Sequence, residues 1–417
     1  MRLCVIGLGY IGLPTAAMFA NHGFDVLGVD VNTKVVEALN QGEIMIEEPG
    51  LQGFVRSAVD KGKLRASTKP EATDAFIIAV PTPINKEFKA DLSYVESASA
   101  AILPYLSAGN IIIVESTIPP RTITDVVCPI LERSGLRLGE DLYIAHCPER
   151  VLPGQILIEL VHNNRIIGGI NEISAQKSGE LYKHFVKGEI YYTDSTSAEM
   201  AKLMENTYRD VNIALANELA LISERLSINS LEVIKMANKH PRVNIHLPGP
   251  GVGGHCLAVD PYFIVEKAPE EAQLIALSRK INNHMPHFVV DQVNKICQMP
   301  PEKVAVFGIT YKGNIDDVRE SPAVEIIHLL REQSIEVSIY DPYVKEFELP
   351  LKLSIEDAVS GVDCVLILTD HTEFKSIDFT KYRALMRQKN VFDTKNCLLH
   401  RGDGINFVTL GNYHKSW

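Results

Sequence analysis

The fold is decided by the first residues of the chain, which read Arg2-Leu3-Cys4-Val5-Ile6-Gly7-Leu8-Gly9-Tyr10-Ile11-Gly12. Residues 2–6 are predicted to form an apolar strand, and Pro14 to His22 a helix that ends at Gly23. The glycines of the intervening turn let the backbone bend tightly and approach a pyrophosphate closely. Such an anion would lie on the helix N-terminus, where free N–H groups and the helix dipole favour it.

An acidic residue stands at the position that selects the cofactor. A second predicted strand, from Asp25 to Val29, ends in Asp30. A carboxylate there accepts hydrogen bonds from ribose hydroxyls and repels a 2′-phosphate. Val31 and Asn32 follow it, so no arginine is in place to receive such a phosphate. The pattern predicts NAD rather than NADP, and the alternative is a glycine-rich turn that binds no cofactor.

Short apolar strands alternate with helical stretches in two parts of the chain. In the first part, further strands are predicted at 75–80, 111–115 and 142–146. Strands of this kind, separated by helices, form a parallel sheet covered on both faces. The alternation returns after Pro300-Pro301 without a second glycine fingerprint, although Gly308–Gly313 stands where a phosphate loop could lie.

Two long helical stretches separate these parts. One runs from about Ser197 to Leu226 without glycine or proline, and the other covers 271–297 and is predicted to be interrupted by Pro286. We therefore expect an α/β chain in which two doubly wound Rossmann-like domains, 1–195 and 300–417, are joined by a helical central domain, 196–299. Long apolar helices are a common subunit surface, so we also expect a homodimer.

Composition and charge exclude several function classes. The 417 residues carry a formal net charge of −11, which disfavours binding to nucleic acids or anionic membranes. The seven cysteines are scattered without a CxxC pair, as is typical of free thiols in a reducing cytoplasm. Neither a signal peptide nor an apolar run of about 18 residues is apparent, so a cytoplasmic protein is expected. No metal is expected, because adjacent pairs such as His255-Cys256 rarely reach one ion.

One cysteine lies in an unusual loop, Pro248-Gly249-Pro250-Gly251-Val252-Gly253-Gly254-His255-Cys256, and Asp260 follows it. Glycine and proline at this density let backbone approach a ligand and present the next side chain at a fixed angle. A buried, inert thiol is the alternative. Beside a nicotinamide-cofactor fingerprint, however, a thiol that holds an aldehyde lets one enzyme oxidise an alcohol twice, to an acid.

Two polar residues of the first long helix, Lys202 and Asn206, are four positions apart and so project from one face. An ammonium and an amide can hold an alkoxide, an aldehyde oxygen or the oxyanion of a thiohemiacetal. Asp260 could orient a water or a lysine. A solvated helix face is the alternative, since neighbouring positions of this helix are also polar.

Three further polar clusters follow predicted strands, at the sheet edge where ligands bind in such folds. They are Pro81-Thr82-Pro83, Glu115-Ser116-Thr117 and His146-Cys147-Pro148-Glu149-Arg150. Each alone could be turn chemistry. Three in succession on one edge favour a binding or catalytic site.

Taken in order, these motifs resemble those of the nucleotide-sugar 6-dehydrogenases, the UDP-glucose/UDP-N-acetylhexosamine dehydrogenase family, over essentially the whole chain. The match also includes Tyr311-Lys312 and Arg319-Glu320-Ser321-Pro322. The resemblance implies a three-domain homodimer or higher assembly, with NAD on the first domain, UDP on the last and the sugar between them. It implies a product that feeds surface polysaccharide or glycan synthesis.

The resemblance implies a role for each matching residue. In catalysis Cys256 would capture the C6 aldehyde, and Lys202 and Asn206 would stabilise oxyanions. Asp260 and Glu149 would handle the proton and the hydrolytic water, and Thr117 would help to position that water or the reacting oxygen. Contacts to NAD are implied for Gly9, Tyr10, Ile11, Asp30, Thr82 and Thr117. Contacts to the nucleotide-sugar are implied for Glu149, Arg150, Val151, Lys202, Asn206, Gly253, His255, Tyr311, Lys312 and Arg319, and for Arg242, which resembles an arginine reaching into a neighbouring subunit.

Two departures from the UDP-glucose pattern narrow the expected substrate. Members that oxidise UDP-glucose tend to carry a second glutamate shortly after the one matching Glu149, and Gly-Gly-Ser-Cys at the nucleophile. Here Arg150–Gly154 lacks that glutamate and the nucleophile follows His255. Residues 242–263 most resemble the members that act on UDP-N-acetyl-D-mannosamine. The expected reaction is the four-electron oxidation of that sugar to its uronate, with UDP-N-acetylglucosamine as the close alternative and UDP-glucose disfavoured.

Two other function classes stay open. A single-step β-hydroxyacid dehydrogenase also combines an N-terminal NAD domain with long helices and can use a lysine on such a helix. It needs neither Cys256 nor the part of the chain at 300–417, and it forms one NADH per substrate instead of two. A non-catalytic sensor of NAD or a nucleotide-sugar is the third class, and the dense polar set around Lys202 and Cys256 argues against it.

Overall fold

The structure, a computed structural model, describes residues 1–412. They form two mainly parallel sheets with helices on both faces, which confirms the predicted α/β class with two Rossmann-like folds. The chain divides into two compact units. The first unit comprises Met1–Glu205 with Tyr262–Pro269, and the second unit comprises Asn206–Pro261 with the chain from Glu270 onward. Domain boundaries after residues 195 and 299 stay a prediction.

The strands of the first sheet are β1 (Arg2–Ile6), β2 (Asp25–Val29), β3 (Leu64–Ser67), β4 (Ala75–Ile78), β5 (Ile111–Val114), β6 (Tyr143–His146), β7 (Arg165–Gly169) and β8 (Ile190–Asp194). Their order is β3-β2-β1-β4-β5-β6-β7-β8. Neighbouring strands are parallel except β6 and β7, which are antiparallel. Because β1 lies between β2 and β4, the connections diverge there, and ligands of such folds bind at the carboxyl ends of these strands.

The helices that cover this sheet are α1 (Gly12–Asn21), α2 (Thr33–Asn40), α3 (Leu51–Asp60), α4 (Ser93–Ile102), α5 (Cys128–Glu132), α6 (Ile156–His162) and α7 (Glu172–Tyr182), with short helical turns at Leu103–Tyr105 and Ile123–Val127. Alternate residues of β1 enter two different cores. Leu3 and Val5 pack with Phe19 of α1, whereas Cys4 and Ile6 pack on the opposite face. Both faces are therefore buried, as the continuous apolar run predicts.

The central part of the chain is helical, with α8 (Ser195–Leu226), α9 (Ser230–Ala237), α10 (Asp260–Lys267) and α11 (Gln273–Ile296). The predicted interruption at Pro286 is wrong, because α11 runs through this residue without a break. A proline removes one backbone hydrogen bond, but Pro286, Met285 and Val289 are all buried. Packing of this apolar segment offsets the local loss.

The second sheet contains β9 (Lys303–Phe307), β10 (Glu336–Tyr340), β11 (Cys364–Ile367), β12 (Asn390–Asp393) and β13 (Asn406–Thr409), with helices α12 (Pro322–Glu332), α13 (Ile355–Val359), α14 (Thr372–Lys375) and a short turn at Phe379–Tyr382. The order is β10-β9-β11-β12-β13, and all pairs are parallel. Like β1 in the first sheet, β9 is the first strand of its sheet in the chain and has a neighbour on each side, β10 and β11. The connections diverge there, so this unit has a second crevice of the same kind. None of the helices within residues 1–412 is both long and apolar enough to cross a bilayer.

Candidate active site

The glycine turn of the first unit has the shape that a dinucleotide requires. A Cβ atom at Gly7 or Gly12 would collide with neighbouring backbone, and Gly7 has a φ of +91°, so both positions need glycine for the turn itself. At Gly9 a Cβ would meet no atom within 4 Å. This open space is explained by a ligand that approaches the backbone. Tyr10 is exposed and Ile11 half-buried beside it, at the start of α1.

Asp30 joins the turn to the end of β2. Its Oδ2 accepts a hydrogen bond from the backbone N–H of Leu8 at 2.9 Å, and its Oδ1 accepts one from Asn32 at 2.8 Å. The next side chain, Val31, is 93% exposed. The carboxylate therefore stabilises the glycine turn and borders the open crevice. These residues fit an NAD molecule whose pyrophosphate lies on α1 and whose ribose approaches Asp30.

The loops after β4 and β5 are tied together at the same edge. Thr82 Oγ1 donates to the backbone oxygen of Thr117 at 2.5 Å, and Ser116 Oγ donates to that of Val80 at 2.7 Å. Thr82 and Thr117 are both half-buried. The structure thus brings two of the three predicted strand-end clusters together.

The third cluster follows β6 and holds a buried carboxylate. Glu149 is 8% exposed. Its Oε1 accepts from the backbone N–H of Arg150 at 2.7 Å and its Oε2 from Arg165 Nη2 at 2.9 Å. The side chain of Arg150 forms an ion pair of 2.5 Å with Glu205 of α8, and Val151 is half-buried. Both carboxylate oxygens therefore have a donor, which fixes the plane of the Glu149 side chain.

Lys202 lies half-buried on the part of α8 that belongs to the first unit. It is within electrostatic reach of His146, the last residue of β6. Burial lowers the pKa of His146 to about 3, and the positive charge of Lys202 adds to this effect. His146 Nδ1 lies 2.8 Å from the backbone oxygen of Val114. His146 is therefore neutral near pH 7, and Lys202 contributes a positive charge near this strand end.

In the second unit, Asn206, Asp260 and Cys256 are linked. Asn206 Nδ2 donates to Asp260 Oδ2 at 2.6 Å, and both side chains are buried. The backbone N–H of Asp260 donates to the carbonyl of Cys256 at 2.8 Å, and the Cys256 side chain is exposed. A solvated helix face does not describe Asn206, and a buried thiol does not describe Cys256.

The glycines before Cys256 allow a close approach to the second sheet's loops. A Cβ at Gly253 would collide with the carbonyl oxygen of Glu320, and one at Gly254, where φ is +85°, would come within 2.8 Å of the Tyr311 ring. Further back, the backbone N–H of Gly249 donates to Asn217 Oδ1 at 2.9 Å. The loop is therefore fixed between α8 and the loop after β9, and Cys256 is presented at its end.

A chain of ionic contacts continues from this loop. His255 Nε2 lies 3.5 Å from Asp317 Oδ2, and Asp317 accepts two hydrogen bonds from Arg319, at 2.9 and 2.8 Å. Partial burial alone would raise the pKa of Asp317, but the hydrogen bonds from Arg319 hold it below its usual range. Lys312 is exposed on the preceding loop, and its carbonyl accepts from Thr310 Oγ1 at 2.8 Å.

Arg242 stands on an exposed stretch after α9. Its backbone N–H donates to His240 Nδ1 at 3.3 Å. Within the part of the chain that the structure describes, its guanidinium forms no hydrogen bond or ion pair with the residues around Cys256. The predicted role of Arg242 in a neighbouring subunit stays a prediction.

Several residues at these edges escaped the sequence-based prediction. Arg165 and Tyr182 surround Glu149 and Glu115. In the second unit Asp341 accepts from the backbone N–H of Ile309 at 2.8 Å, as Asp30 does from Leu8, but a buried His371 lies 3.1 Å from the same carboxylate oxygen. The sequence signal that could have indicated Arg165 is a charged residue at the start of an apolar strand, Arg165-Ile166-Ile167.

The described residues also bear on the metal prediction. Among positions 1–412 no group of three or more His, Cys, Asp or Glu side chains is arranged to hold a metal ion.

Comparison with protein families places each part of the chain. Three models of the UDP-glucose/GDP-mannose dehydrogenase family match it. They are the NAD binding domain at residues 1–186, the central domain at 196–284 and the UDP binding domain at 305–400. The glycine turn, the Cys256 loop and the loop with Lys312 fall one into each of these ranges.

Individual relatives match over nearly the full length. A UDP-N-acetyl-D-mannosamine dehydrogenase of Methanococcus maripaludis is 51% identical over 99% of this chain and 97% of its own. An NDP-N-acetyl-D-galactosaminuronic acid dehydrogenase of Ralstonia solanacearum is 46% identical over 94% and 95%. The solved UDP-N-acetyl-mannosamine dehydrogenase of Staphylococcus aureus is 54% identical, covers 99% of both chains and superposes with a TM-score of 0.91. The chain therefore belongs to the UDP-glucose/GDP-mannose dehydrogenase family, as its motifs predict.

Proposed function

We propose that this protein oxidises the C6 alcohol of UDP-N-acetyl-D-mannosamine to the uronate. The reaction consumes two NAD⁺ and one water per sugar and yields two NADH and three protons. The observation that carries the proposal is the fixed loop that presents an exposed Cys256 next to the buried Asn206–Asp260 pair. A nucleophilic thiol is what a dehydrogenase needs to retain an aldehyde for a second oxidation.

The protein's own groups divide the chemistry between them. NAD⁺, when bound at the glycine turn, accepts a hydride in each oxidation. Between the two oxidations the Cys256 thiolate adds to the C6 aldehyde and forms a thiohemiacetal. Loss of the second hydride leaves a thioester. Water then attacks the thioester carbonyl, the carbon–sulfur bond breaks, and the thiolate and the carboxylate product are released.

Lys202 and Asn206 are proposed to stabilise the negative oxygen that develops in these steps. Donors already in place cost no reorganisation at the moment of reaction. The hydrogen bond to Asp260 fixes the Asn206 amide with its nitrogen on the Asp260 side, which supports the proposed role of Asn206. Glu149, Thr117 and Asp260 are proposed to orient the hydrolytic water and take its proton.

The opposite end of the substrate is assigned to the second sheet. Lys312 and Arg319 are cationic and exposed. Both lie within residues 305–400, which match the UDP binding domain. We assign them to the diphosphate, with Tyr311, Gly253 and His255 lining the approach to the sugar. Arg150 and Val151 are also assigned to the sugar.

The identity of the sugar is supported by the relatives. Two relatives more than half identical to this chain, at 51% and 54%, are named for UDP-N-acetyl-D-mannosamine. A relative named for an N-acetylgalactosaminuronic acid is 46% identical, which favours a second candidate with the same acetamido group and a different epimer. UDP-N-acetylglucosamine and UDP-glucose complete the set of substrates to compare.

A homodimer is proposed from the apolar surface of α8. Tyr208, Leu215 and Ile222 are spaced by seven residues on one face and are 61%, 51% and 46% exposed. Leu274 and Leu277 of α11 are exposed as well. An apolar stripe of this length on one helix is typical of a subunit interface. In such a dimer we assign Arg242 to the partner's substrate site.

The experiment that tests the function counts NADH against a panel of UDP-N-acetylmannosamine, UDP-N-acetylgalactosamine, UDP-N-acetylglucosamine and UDP-glucose. Two NADH per sugar and the highest kcat/KM with UDP-N-acetylmannosamine are expected. One NADH per substrate would support a single-step dehydrogenase, and no NADH with any sugar would support a sensor. A Cys256→Ser variant is expected to lose the second oxidation. Full four-electron turnover by that variant would refute the nucleophile assignment.

A further inference from the structure

A buried cluster of charges lies at the carboxyl edge of the first sheet, behind Glu149. Arg165, Glu115 and Glu149 are 4%, 1% and 8% exposed. Arg165 Nη2 lies 2.9 Å from Glu149 Oε2, and Arg165 Nη1 lies 3.9 Å from Glu115 Oε1. One guanidinium is thus placed between two carboxyl groups out of contact with water.

The topology of the sheet explains how these three residues meet. Glu115 follows β5 and Glu149 follows β6, and both strands point the same way. Because β7 runs antiparallel to β6, with His146 opposite Gly168, its first residue lies beyond the end of β6. Arg165 is that first residue. The antiparallel pairing of β7 with β6 therefore places Arg165 at the same sheet edge as Glu115 and Glu149, which follow the parallel strands β5 and β6.

Other groups fix the cluster on every side. Tyr182 of α7 donates to Glu115 Oε1 at 2.6 Å, and Thr15 of α1 donates to Glu115 Oε2 at 3.1 Å. The Arg165 guanidinium carbon lies 4.6 Å from the centroid of the Tyr182 ring, and Arg165 Nη1 lies 3.5 Å from Cys147 Sγ. Arg165 is held by a hydrogen bond, an ion pair and an aromatic face, so it has little freedom to move away from Glu149.

The cluster contains two carboxyl groups and one guanidinium, so protonation of one carboxyl group, Glu115, would balance its charges. Two carboxylates with one guanidinium would leave a net negative charge in the interior, which is expensive. Burial raises the pKa of Glu115 to about 7, the charge of Arg165 opposes that rise, and the charge of Glu149 adds to it. When Glu115 is protonated it carries no charge, and Arg165 is then paired with Glu149 alone. Glu149 accepts the hydrogen bond that Arg165 Nη2 donates.

The remaining charged or titratable groups near Glu149 are accounted for. Burial raises the pKa of the Cys147 thiol to about 12, and burial also raises that of Tyr182 well above its usual value. His146 is neutral and Arg150 is paired with Glu205 of α8. From α1 the cluster receives the uncharged Thr15. Lys202 of α8 contributes its charge at the strand end.

We infer that Arg165, itself held against the Tyr182 ring, is a positioning residue that keeps the Glu149 carboxylate in one orientation for thioester hydrolysis. This inference rests on the proposed function. In the step concerned, Glu149 takes the proton of the attacking water as the carbon–sulfur bond to Cys256 breaks. No electron transfer is involved. Arg165 therefore affects the hydrolysis and not the two hydride transfers that precede it.

Rapid mixing of enzyme, NAD⁺ and UDP-N-acetylmannosamine separates these steps. The Arg165→Met variant is expected to form a burst of two NADH per active site and then to turn over about 100-fold more slowly than the wild type, as for loss of a general base. Arg165→Lys keeps the charge and should recover about tenfold of that loss. Arg137→Lys, the same change in an exposed ion pair, is the control and should behave as the wild type.

The pH profile of kcat gives a readout that a purely structural role would not move. With Arg165→Lys the inflection that Glu115 produces near pH 7 should shift to higher pH, because the shorter side chain moves the positive charge away from Glu115 and opposes the rise of its pKa less. With Glu115→Gln this inflection should disappear, because the group that titrates there is removed. If both variants keep the pH profile near pH 7 and the burst of the wild type, the inference is overturned, even where Arg165→Met fails to fold. A wild-type enzyme that yields one NADH per sugar would instead refute the proposed function.

Discussion

Asn206 Nδ2 donates a hydrogen bond of 2.6 Å to Asp260 Oδ2, and the two side chains are 8% and 2% exposed. The contact joins α8 to the first residue of α10 in the second unit. A buried amide paired with a buried carboxylate has one favourable orientation, because a flip would place the Asn206 oxygen against Asp260. The contact therefore fixes which atom of Asn206 is the donor beside the Cys256 loop.

Replacing Asn206 by Asp should abolish most of the activity. The change removes an amide donor and places two carboxyl groups at a separation of one hydrogen bond, so that they must share a proton. We expect kcat to fall by about 100-fold or more, as for loss of one oxyanion donor. Steady-state NADH formation measures this effect. Asn212→Asp, the same change at a more exposed site of α8, should stay within about threefold of the wild type.

A thermal unfolding midpoint measured alongside separates chemistry from folding. The proposed role predicts that Asn206→Asp retains a cooperative transition while kcat falls. Turnover close to the wild type in a folded Asn206→Asp protein would contradict the role of the amide as an oxyanion donor.

The parts of the site that the sequence predicts are those formed by neighbouring residues. The turn from Gly7 to Gly12 and the acid at Asp30 are encoded in one strand–turn–helix–strand segment, so their geometry follows from local pattern. The same is true of the Cys256 loop, whose glycines allow the observed approach to Tyr311. In both cases the run of glycines is a local sequence pattern, although the groups that the glycines approach, such as Tyr311, are distant in sequence.

The parts that the sequence does not predict depend on long-range pairing. Arg165 reaches Glu149 and Glu115 only because β7 runs antiparallel to β6, and apolar periodicity does not encode strand direction. The local preference of proline predicts an interruption at Pro286, but packing of the buried face of α11 keeps the helix continuous there. A charged residue at the start of an apolar run, as at Arg165, indicates that such a contact exists, but the partner and its geometry depend on the tertiary fold.

Replacing Asp30 by Asn should weaken the preference for NAD over NADP. Asn keeps one oxygen, which can accept from the Leu8 N–H, a bond of 2.9 Å in the wild type, so this contact to the turn is retained while the bond from the Asn32 N–H is lost. The loss of charge weakens a hydrogen bond to the ribose and removes the repulsion of a 2′-phosphate. We expect the KM for NAD to rise about tenfold, since a charged hydrogen bond contributes about 1.5 kcal/mol.

The measurement is initial velocity against NAD and NADP at a saturating sugar concentration. Asp25→Asn is the matched control, since Asp25 is an exposed acid at the other end of β2 that pairs with Lys63. Equal kinetic constants for Asp30→Asn and the wild type would show that Asp30 supports the turn alone.

Glu199 should make the protein less stable as the pH rises. Burial raises the pKa of Glu199 from 4.5 to about 7, although the backbone N–H groups of Ile123 and Arg121 oppose the rise. A raised pKa means that the folded protein binds the proton more tightly than the unfolded chain does. The contribution is complete below about pH 4.5 and is lost as the pH passes 7.

Thermal unfolding of the wild type and of Glu199→Gln between pH 5 and pH 8 measures this contribution. The difference in unfolding free energy between the two should change by up to about 3 kcal/mol over this range, in favour of the wild type at low pH. Glu140→Gln, at an exposed position, should show a constant difference. A constant difference for Glu199→Gln as well would show that Glu199 does not titrate in this window.

Arg242 and Cys256 allow the proposed dimer to be tested by complementation. Arg242→Ala should lower the affinity for the UDP-sugar, and Cys256→Ala should remove the nucleophile, so each variant alone is impaired. If Arg242 serves the partner's site, a mixed dimer has one site with both residues intact, formed by Cys256 of one subunit and Arg242 of the other. Random exchange makes half of the dimers mixed, so about one quarter of the wild-type activity should return.

The subunits are to be mixed under conditions that permit exchange, and NADH formation is followed at a sugar concentration near the wild-type KM. Placing both substitutions in one subunit and mixing it with an equal amount of wild type is the reciprocal control. Activity should fall from about one half to about one quarter of the wild-type value on exchange, because only the wild-type homodimers then contain sites with both residues intact. Leu215→Glu, which puts a charge on the exposed apolar face of α8, should yield monomers in light scattering and prevent recovery. Activity that does not return in exchanged Arg242→Ala and Cys256→Ala dimers would assign Arg242 to its own subunit, because only then does every mixed site lack one of the two residues.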